Sequence, residues 1–234
     1  MSRRILAGFG FRRAPEKTIN EMKSSCNTPM GLLEIRTLGH ASVQLRLGRD
    51  ILYVDPYSQV YDFSTLPKAS AVLITHDHYD HLDRKALEPL LGPSTSVIGN
   101  PDVARVLPGT VSLRNGEMTS CCGIAVKAVP AYNTTGRNED GEFFHPKGVG
   151  NGYLLDMDGF RVYFAGDTEL IPEMAACQGV DVAFLPKNLP YTMSDGMFVE
   201  AARAIAPKIL YPYHYFEVDI EALRAALPQM EVRL

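Results

Sequence analysis

His76-Asp77-His78-Tyr79-Asp80-His81 follows directly on the apolar run Ala71-Val72-Leu73-Ile74. Three imidazoles and two carboxylates within six residues, behind a strand of buried character, predict a site built at the end of a sheet. On an extended segment His76 and His78 project to one side, and a turn is needed before Asp80 and His81 can converge on them. Imidazole nitrogen and carboxylate oxygen suit zinc, manganese or iron rather than a metal bound by thiolates. The plain alternative is a polar loop on which histidines have gathered without a ligand. A solvated loop has no need of this density of donors behind a strand, so the HxHxDH pattern predicts a metal site that its structural context must bear out.

Upstream of the motif, Leu33-Glu34-Ile35-Arg36-Thr37-Leu38 and Val43-Gln44-Leu45-Arg46-Leu47 alternate apolar and polar residues, and Ile51-Leu52-Tyr53-Val54 is continuously apolar. Gly39 and Gly48-Arg49-Asp50 supply the turns of a three-strand meander. Pro56 stops the pairing and leaves Asp55 at a strand terminus. A strand over 69–74 delivers the motif, and Asp83 is placed to cap a helix running to Leu91. Short strands are expected near 95–99, 110–113, 117–120 and 124–129, with a helix opened by Pro101. Residues 132–148 form a long polar loop, of a kind often functional.

The meander signature then returns. Gly152 to Met157 and Phe160 to Ala165 flank Asp158-Gly159, the favoured pair for a tight hairpin. This hairpin also ends on an acid, Asp167 of Gly166-Asp167. A helix over 169–177, a strand over 181–185, a helix over 195–205, a strand over 208–211 and a helix over 219–227 complete the pattern. Each half thus offers strands followed by helices. The fold class expected is α/β, an αββα sandwich of two mixed β-sheets packed face to face with helices on the outside.

Of 234 residues, 46% are hydrophobic and 21% charged, ordinary values for a globular protein. Residues 1–30, with Arg3, Arg4, Arg12 and Arg13, lack steady periodicity and read as a partly disordered leader, leaving 31–234 as a single domain. The net charge of −4 provides no basic face for a nucleic acid partner. No apolar run approaches the ~18 residues that span a bilayer, so no membrane partner is expected. Cys26, Cys121, Cys122 and Cys177 show no CxxC spacing. They read as free thiols in a reducing cytoplasm.

The order Asp55, His76 to His81, Gly166-Asp167-Thr168 and a late His214 resembles the metallo-β-lactamase-fold hydrolases over about residues 33–220. Leu38-Gly39-His40-Ala41-Ser42 and Pro190-Tyr191-Thr192-Met193 resemble the bacterial and archaeal metal-dependent hydrolases related to ascorbate-6-phosphate lactonase. The resemblance implies one or two divalent ions, zinc or manganese foremost and iron next. His76 and His78 would bind the first ion, Asp80, His81 and His214 the second, and Asp167 would bridge them. Asp55 would orient a histidine through its other ring nitrogen.

One position departs from the resemblance. A third histidine for the first ion is expected just after Val129-Pro130, where the chain has Ala131-Tyr132-Asn133. His145, twelve residues on, is expected to reach back and supply that nitrogen, with Asn133 as a hydrogen-bonding partner or weak ligand; otherwise His145 only orders the loop. His40 is expected beside the site, facing substrate or backing a ligand. Lys187, Asn188 and Tyr191 are expected at the substrate cleft, Lys187 as an anion-holding group against the plainer role of a solvated surface lysine. The chemistry implied is attack by a metal-bound hydroxide on an ester, lactone or phosphodiester of a small anionic metabolite, with Asp80 and Asp167 as the catalytic carboxylates. A non-catalytic or regulatory metal-binding protein with an impaired first site is the alternative. Assembly into a homo-oligomer, which would help shape the pocket, stays open.

Overall fold

The structure, a computed structural model, describes residues 22–234. Strands β1 (Met22–Thr28), β2 (Gly31–Gly39), β3 (Ser42–Leu47) and β4 (Asp50–Val54) pair antiparallel in chain order. β5 (Ala71–Leu73), β6 (Ser96–Gly99) and β7 (Val111–Ser112) then add in parallel. The second sheet repeats the scheme. β8 (Met118–Cys121), β9 (Ile124–Ala131), β10 (Gly150–Met157) and β11 (Phe160–Phe164) are antiparallel. β12 (Val182–Pro186), β13 (Ile209–Tyr213) and β14 (Glu231–Val232) follow in parallel. Among the described residues these make two mixed seven-stranded sheets.

Side-chain alternation along the strands creates the layers. On β4, Leu52 and Val54 enter the core shared by the two sheets, while Ile51 and Tyr53 join the outer cluster under the first pair of helices. On β12, Val182 and Phe184 point inward and Ala183 and Leu185 outward. Phe184 stacks between Phe164 and Tyr211 at centroid distances of 4.5 and 4.7 Å. Burying such side chains contributes about 1.5–3 kcal/mol each, so this shared core is what holds the sheets face to face.

Helices cover the outer faces. In α1 (Arg84–Leu90), the Asp83 side chain accepts from the backbone N–H of Lys85 and Ala86, and Ala86, Leu87 and Leu90 turn inward. α2 (Pro101–Val106) starts on proline behind the Asn100 cap. In α3 (Asp195–Ile205), capped by Ser194, Phe198, Ala201, Ala202 and Ile205 form the buried stripe expected of helical spacing. α4 (Ile220–Ala226) is capped by Asp219. The expected αββα sandwich is thus the architecture observed.

Two departures are informative. Met22–Thr28, inside the segment read as a leader, is a sheet strand in register with β2 from Met22↔Thr37 to Thr28↔Gly31. An edge strand is held by its ladder, and although its side chains from Lys23 to Thr28 alternate exposed and half-buried, its largely polar composition shows no apolar–polar alternation to read. Residues 1–21 lie outside the described residues. The helix expected over 169–177 is a 3-10 turn over Pro172–Cys177, because Pro172 keeps Ile171 extended and the Glu169 N–H is bonded to Tyr132 O.

Candidate metal centre

The site collects at one edge of the sandwich, beyond the carboxyl ends of parallel neighbours, the place where open α/β sheets build their sites. Asp55 follows β4, His76 follows β5, Asp167 follows β11, Asn188 follows β12 and His214 follows β13. Three of the residues there take left-handed backbone angles: His40 (φ 52°), Asp55 (φ 42°) and His214 (φ 48°). Such strain costs on the order of 1–3 kcal/mol per residue and persists only where the surroundings impose it. Here Asp55 N–H donates to Leu73 O at 3.0 Å, Ser42 Oγ donates to Asp55 O at 2.7 Å, and His214 N–H donates to His40 O at 2.9 Å. The last bond ties the two halves of the chain together at the site.

Two donor groups result, each with its ligand-type atoms within 4.8 Å of one another, His76, His78 and His145 in one and His40, Asp80, His81 and His214 in the other, and a third group, His76, His81 and Asp167, overlaps both. Asp167 lies between them. Its Oδ2 is 3.3 Å from His145 Nε2 and 3.2 Å from His214 Nε2, and its Oδ1 is 3.5 Å from His81 Nε2. Asp80 Oδ2 is 3.0 Å from His40 Nε2 and 3.7 Å from His214 Nε2.

The far sides of the His81, His214 and His145 rings are held. Asp55 Oδ2 lies 2.8 Å from His81 Nδ1, and its carboxylate also accepts from Thr75 N–H and Thr75 Oγ1 at 2.8 and 2.7 Å. The Asn188 carboxamide lies 3.1 Å from His214 Nδ1. Asn133 donates through Nδ2 to Tyr191 O, which leaves its Oδ1 to accept from His145 N–H at 2.8 Å and His145 Nδ1 at 2.7 Å. Asn133 is therefore a hydrogen-bonding partner rather than a ligand. It directs the His145 lone pair at Nε2 toward Asp167.

The electrostatics of these buried groups are strongly coupled. Burial opposes charge on His81 and His214, yet Asp167 prevails and raises both, His214 to about 9 and His81 well above the ordinary imidazole range, the latter with help from Asp55. Burial lowers His76, and the neighbouring His81 lowers it further. Burial would raise Asp167 and Asp80, but the histidines around each hold both carboxyls well below their usual range.

Donors and acceptors do not balance within the chain. Among the described residues, Nε2 of His76, His81, His145 and His214, together with Asp167 Oδ1, are buried without a hydrogen-bond partner. Leaving so many polar atoms unsatisfied costs about 1–3 kcal/mol each, and all of them are borderline or hard donors suited to divalent cations. The residues present fit the metal that the motif implies.

A cleft of about 680 Å³ opens onto these atoms. Tyr57, Tyr79, Phe144, Tyr191 and Phe216 line it, as do the carboxylates Asp77, Asp80 and Asp167. Among the described residues no lysine or arginine lines the cleft. Lys187, expected there, forms an ion pair with Asp195 at 2.8 Å instead. Asn188 and Tyr191, expected at the cleft, line it, whereas Thr75, Glu169 and the other aromatic walls carry no signal in the sequence.

Residues 54–215 match the beta-lactamase superfamily domain, and the chain belongs to that superfamily. Within it, the relatives are metal-dependent hydrolases. The UPF0173 metal-dependent hydrolase of Archaeoglobus fulgidus is 29% identical over 211 residues, covering 83% of this chain and 90% of the relative. That of Thermus thermophilus is 30% identical over 200 residues, covering 79% and 84%. A crystal structure of a Parabacteroides distasonis protein assigned as a metal-dependent hydrolase aligns at TM-score 0.85 and 42% identity, covering 91% of this chain and 97% of that one. The metallo hydrolase Igni18 of Ignicoccus hospitalis shares the fold at TM-score 0.71 and 22% identity, with 86% and 94% covered. The chain is a metal-dependent hydrolase of the beta-lactamase superfamily.

Proposed function

We propose that the centre is dinuclear and hydrolyses an ester or lactone of a small molecule. The convergence of the His81, His145 and His214 Nε2 atoms on the carboxylate of Asp167, with His76 grouped beside it and none of the four nitrogens hydrogen-bonded among the described residues, carries this reading. His76, His78 and His145 would hold the first ion, Asp80, His81 and His214 the second, with Asp167 between them and His40 as a further donor beside Asp80. Zinc and manganese suit this donor set best. Such ions lower the pKa of a bound water enough to supply hydroxide near neutral pH, and they polarise the oxygen under attack.

The chain's own residues do the rest. Asp55, Asn133 and Asn188 hold the His81, His145 and His214 rings from behind, so that their other nitrogens are presented to the cleft without rotation. Asp80, paired with His40 at 3.0 Å and lining the cleft, stays ionised and would orient the attacking water by accepting a hydrogen bond from it. The cleft walls modify the substrate expected from the sequence. With aromatic rings and carboxylates on its lining and Lys187 committed to Asp195, an anionic substrate group would depend on the ions alone. This favours a carboxylic ester or lactone with an apolar portion over a phosphodiester. A purely regulatory role rested on a missing third nitrogen, and with His145 beside His76 and His78 it loses that motive.

Metal analysis of the purified protein and of His145→Ala tests the centre. Two equivalents are expected in the former and about one in the latter, and unchanged stoichiometry in His145→Ala would sink the assignment. Turnover of a panel of neutral esters and lactones beside phosphodiesters, with manganese or zinc and again with chelator, tests the chemistry. Preference for the phosphodiesters would overturn the substrate class.

A further inference from the structure

The loop 132–148 brings His145 to the first donor group, and something must fix where that loop begins. Glu169 does this from within. Its side chain is only 1% exposed, yet no lysine or arginine partners it in the hydrogen-bond and ion-pair network of the described residues. Its charge is met by five donors from three consecutive residues. Oε2 accepts from Thr134 N–H at 2.7 Å, Thr134 Oγ1 at 2.6 Å and Thr135 N–H at 2.7 Å. Oε1 accepts from Thr135 Oγ1 at 2.8 Å and Gly136 N–H at 2.7 Å. A carboxylate so surrounded tolerates burial because its lone pairs are satisfied.

The backbone on either side of this carboxylate is tied to the same stretch of chain. Glu169 N–H donates to Tyr132 O at 3.0 Å, and Thr168 Oγ1 bonds both Tyr132 N and Tyr132 O at 3.1 Å. Residues 132 and 134–136 are thus pinned to 168–169, immediately after Asp167. Asn133 is the residue left between the pins, and it pairs with His145 through Asn133 N–H to His145 O at 2.8 Å and through its Oδ1. Packing at the joint is close. A Cβ on Gly136 would fall 2.7 Å from Pro190 O, 2.9 Å from Asn133 Nδ2 and 3.0 Å from Glu169 Oε1.

We infer that Glu169 is a positioning residue for the first metal site, setting the distance between Asp167 and His145 by gathering Thr134–Gly136 around its carboxylate. This rests on the dinuclear reading above. Asp167 enters the site from β11 and His145 from a loop, and the joint between them runs through Glu169 and Asn133, with Thr168 and Tyr132 beside it. Glu169→Gln keeps the side chain's volume but turns an amide N–H toward backbone donors, so the joint opens while the second group of donors is untouched.

Calorimetric titration of metal-stripped protein with zinc, followed by the visible spectrum of the cobalt-loaded form, reads the two sites separately. Glu169→Gln should bind the first-site ion about 10–100-fold more weakly, with the second-site affinity and spectrum retained. Thr134→Val/Thr135→Val, which removes two donors and leaves the carboxylate, should move the first site in the same direction and covers the case in which Glu169→Gln fails to fold. Glu173→Gln loosens the loop at Lys147 and Tyr132 and should leave both affinities at the wild-type values. Two wild-type affinities in both the Glu169→Gln protein and the threonine double variant overturn the inference, as does equal loss in Glu173→Gln. A wild-type protein that takes up a single ion instead overturns the dinuclear reading, and this inference with it.

Discussion

Asn133 stands where the resemblance to metallo-β-lactamase-fold hydrolases places an imidazole, and the chain has turned an apparent loss into a relay. The carboxamide fixes the tautomer of His145 through a 2.7 Å contact to Nδ1, which a histidine at 133 would not do from the same place. Glu169 stands one step behind. Its carboxyl is held down at about 2 against an ordinary 4.5, burial being outweighed by the hydrogen bonds from Thr134 and Thr135. A depressed carboxyl contributes stability that is present in full above 4.5 and lost as pH falls through about 2. The stability gap between wild-type and Glu169→Gln, followed by denaturant unfolding of the metal-free proteins, should therefore narrow across that window. A gap unchanged at the acid end would mean that volume, not charge, is what the loop requires. HxHxDH and Asp167 were legible as residues because ligand-type side chains are rare in such density behind strands. Glu169 was not, since no local spacing links it to donors thirty-odd positions earlier.

At the scale of elements, the strands announced themselves by burial period and the helices by their caps. Asp83 shows how a cap can serve the site as well. Its Oδ1 accepts from Lys85 N–H at 2.9 Å while its Oδ2 accepts from Ser58 N–H at 2.8 Å. The exit of the histidine motif is thereby clamped to the loop that follows Asp55. Asp83→Ala should cost about 1–2 kcal/mol, and a thermal melt should show Tm lower by roughly 2–8 °C. No shift would mean that water replaces the cap without loss. β1 escaped notice for the opposite reason. A strand such as Met22–Thr28 is defined by seven register pairs with β2 rather than by which of its side chains are buried.

For the molecule as a whole, the metal centre joins the two halves. Buried imidazoles and carboxylates with unpaired atoms are a liability in the metal-free chain and an asset in the loaded one. Because ions bind the folded state and not the unfolded one, stability should rise by RT ln(1 + [L]/Kd), about 2.7 kcal/mol at a hundredfold excess over Kd. Chelation should accordingly lower Tm, and readdition of zinc or manganese should restore it. A melting curve indifferent to both would argue against any tightly bound ion.

Local pattern determined a good deal. The alternation in β2 and β3, the paired acids Asp55 and Asp167 after their meanders and the six-residue motif together specified an αββα sandwich with a metal edge. These are properties of side-chain period and donor chemistry, which neighbouring residues carry among themselves. The tertiary structure decided that His145 joins His76 and His78, that Lys187 belongs to Asp195, and that His40 stands with Asp80 and His214. Each of these depends on where separate strand ends and one long loop meet in space. That meeting is set by the packing of two sheets and by a buried glutamate, neither of which leaves a mark on adjacent positions.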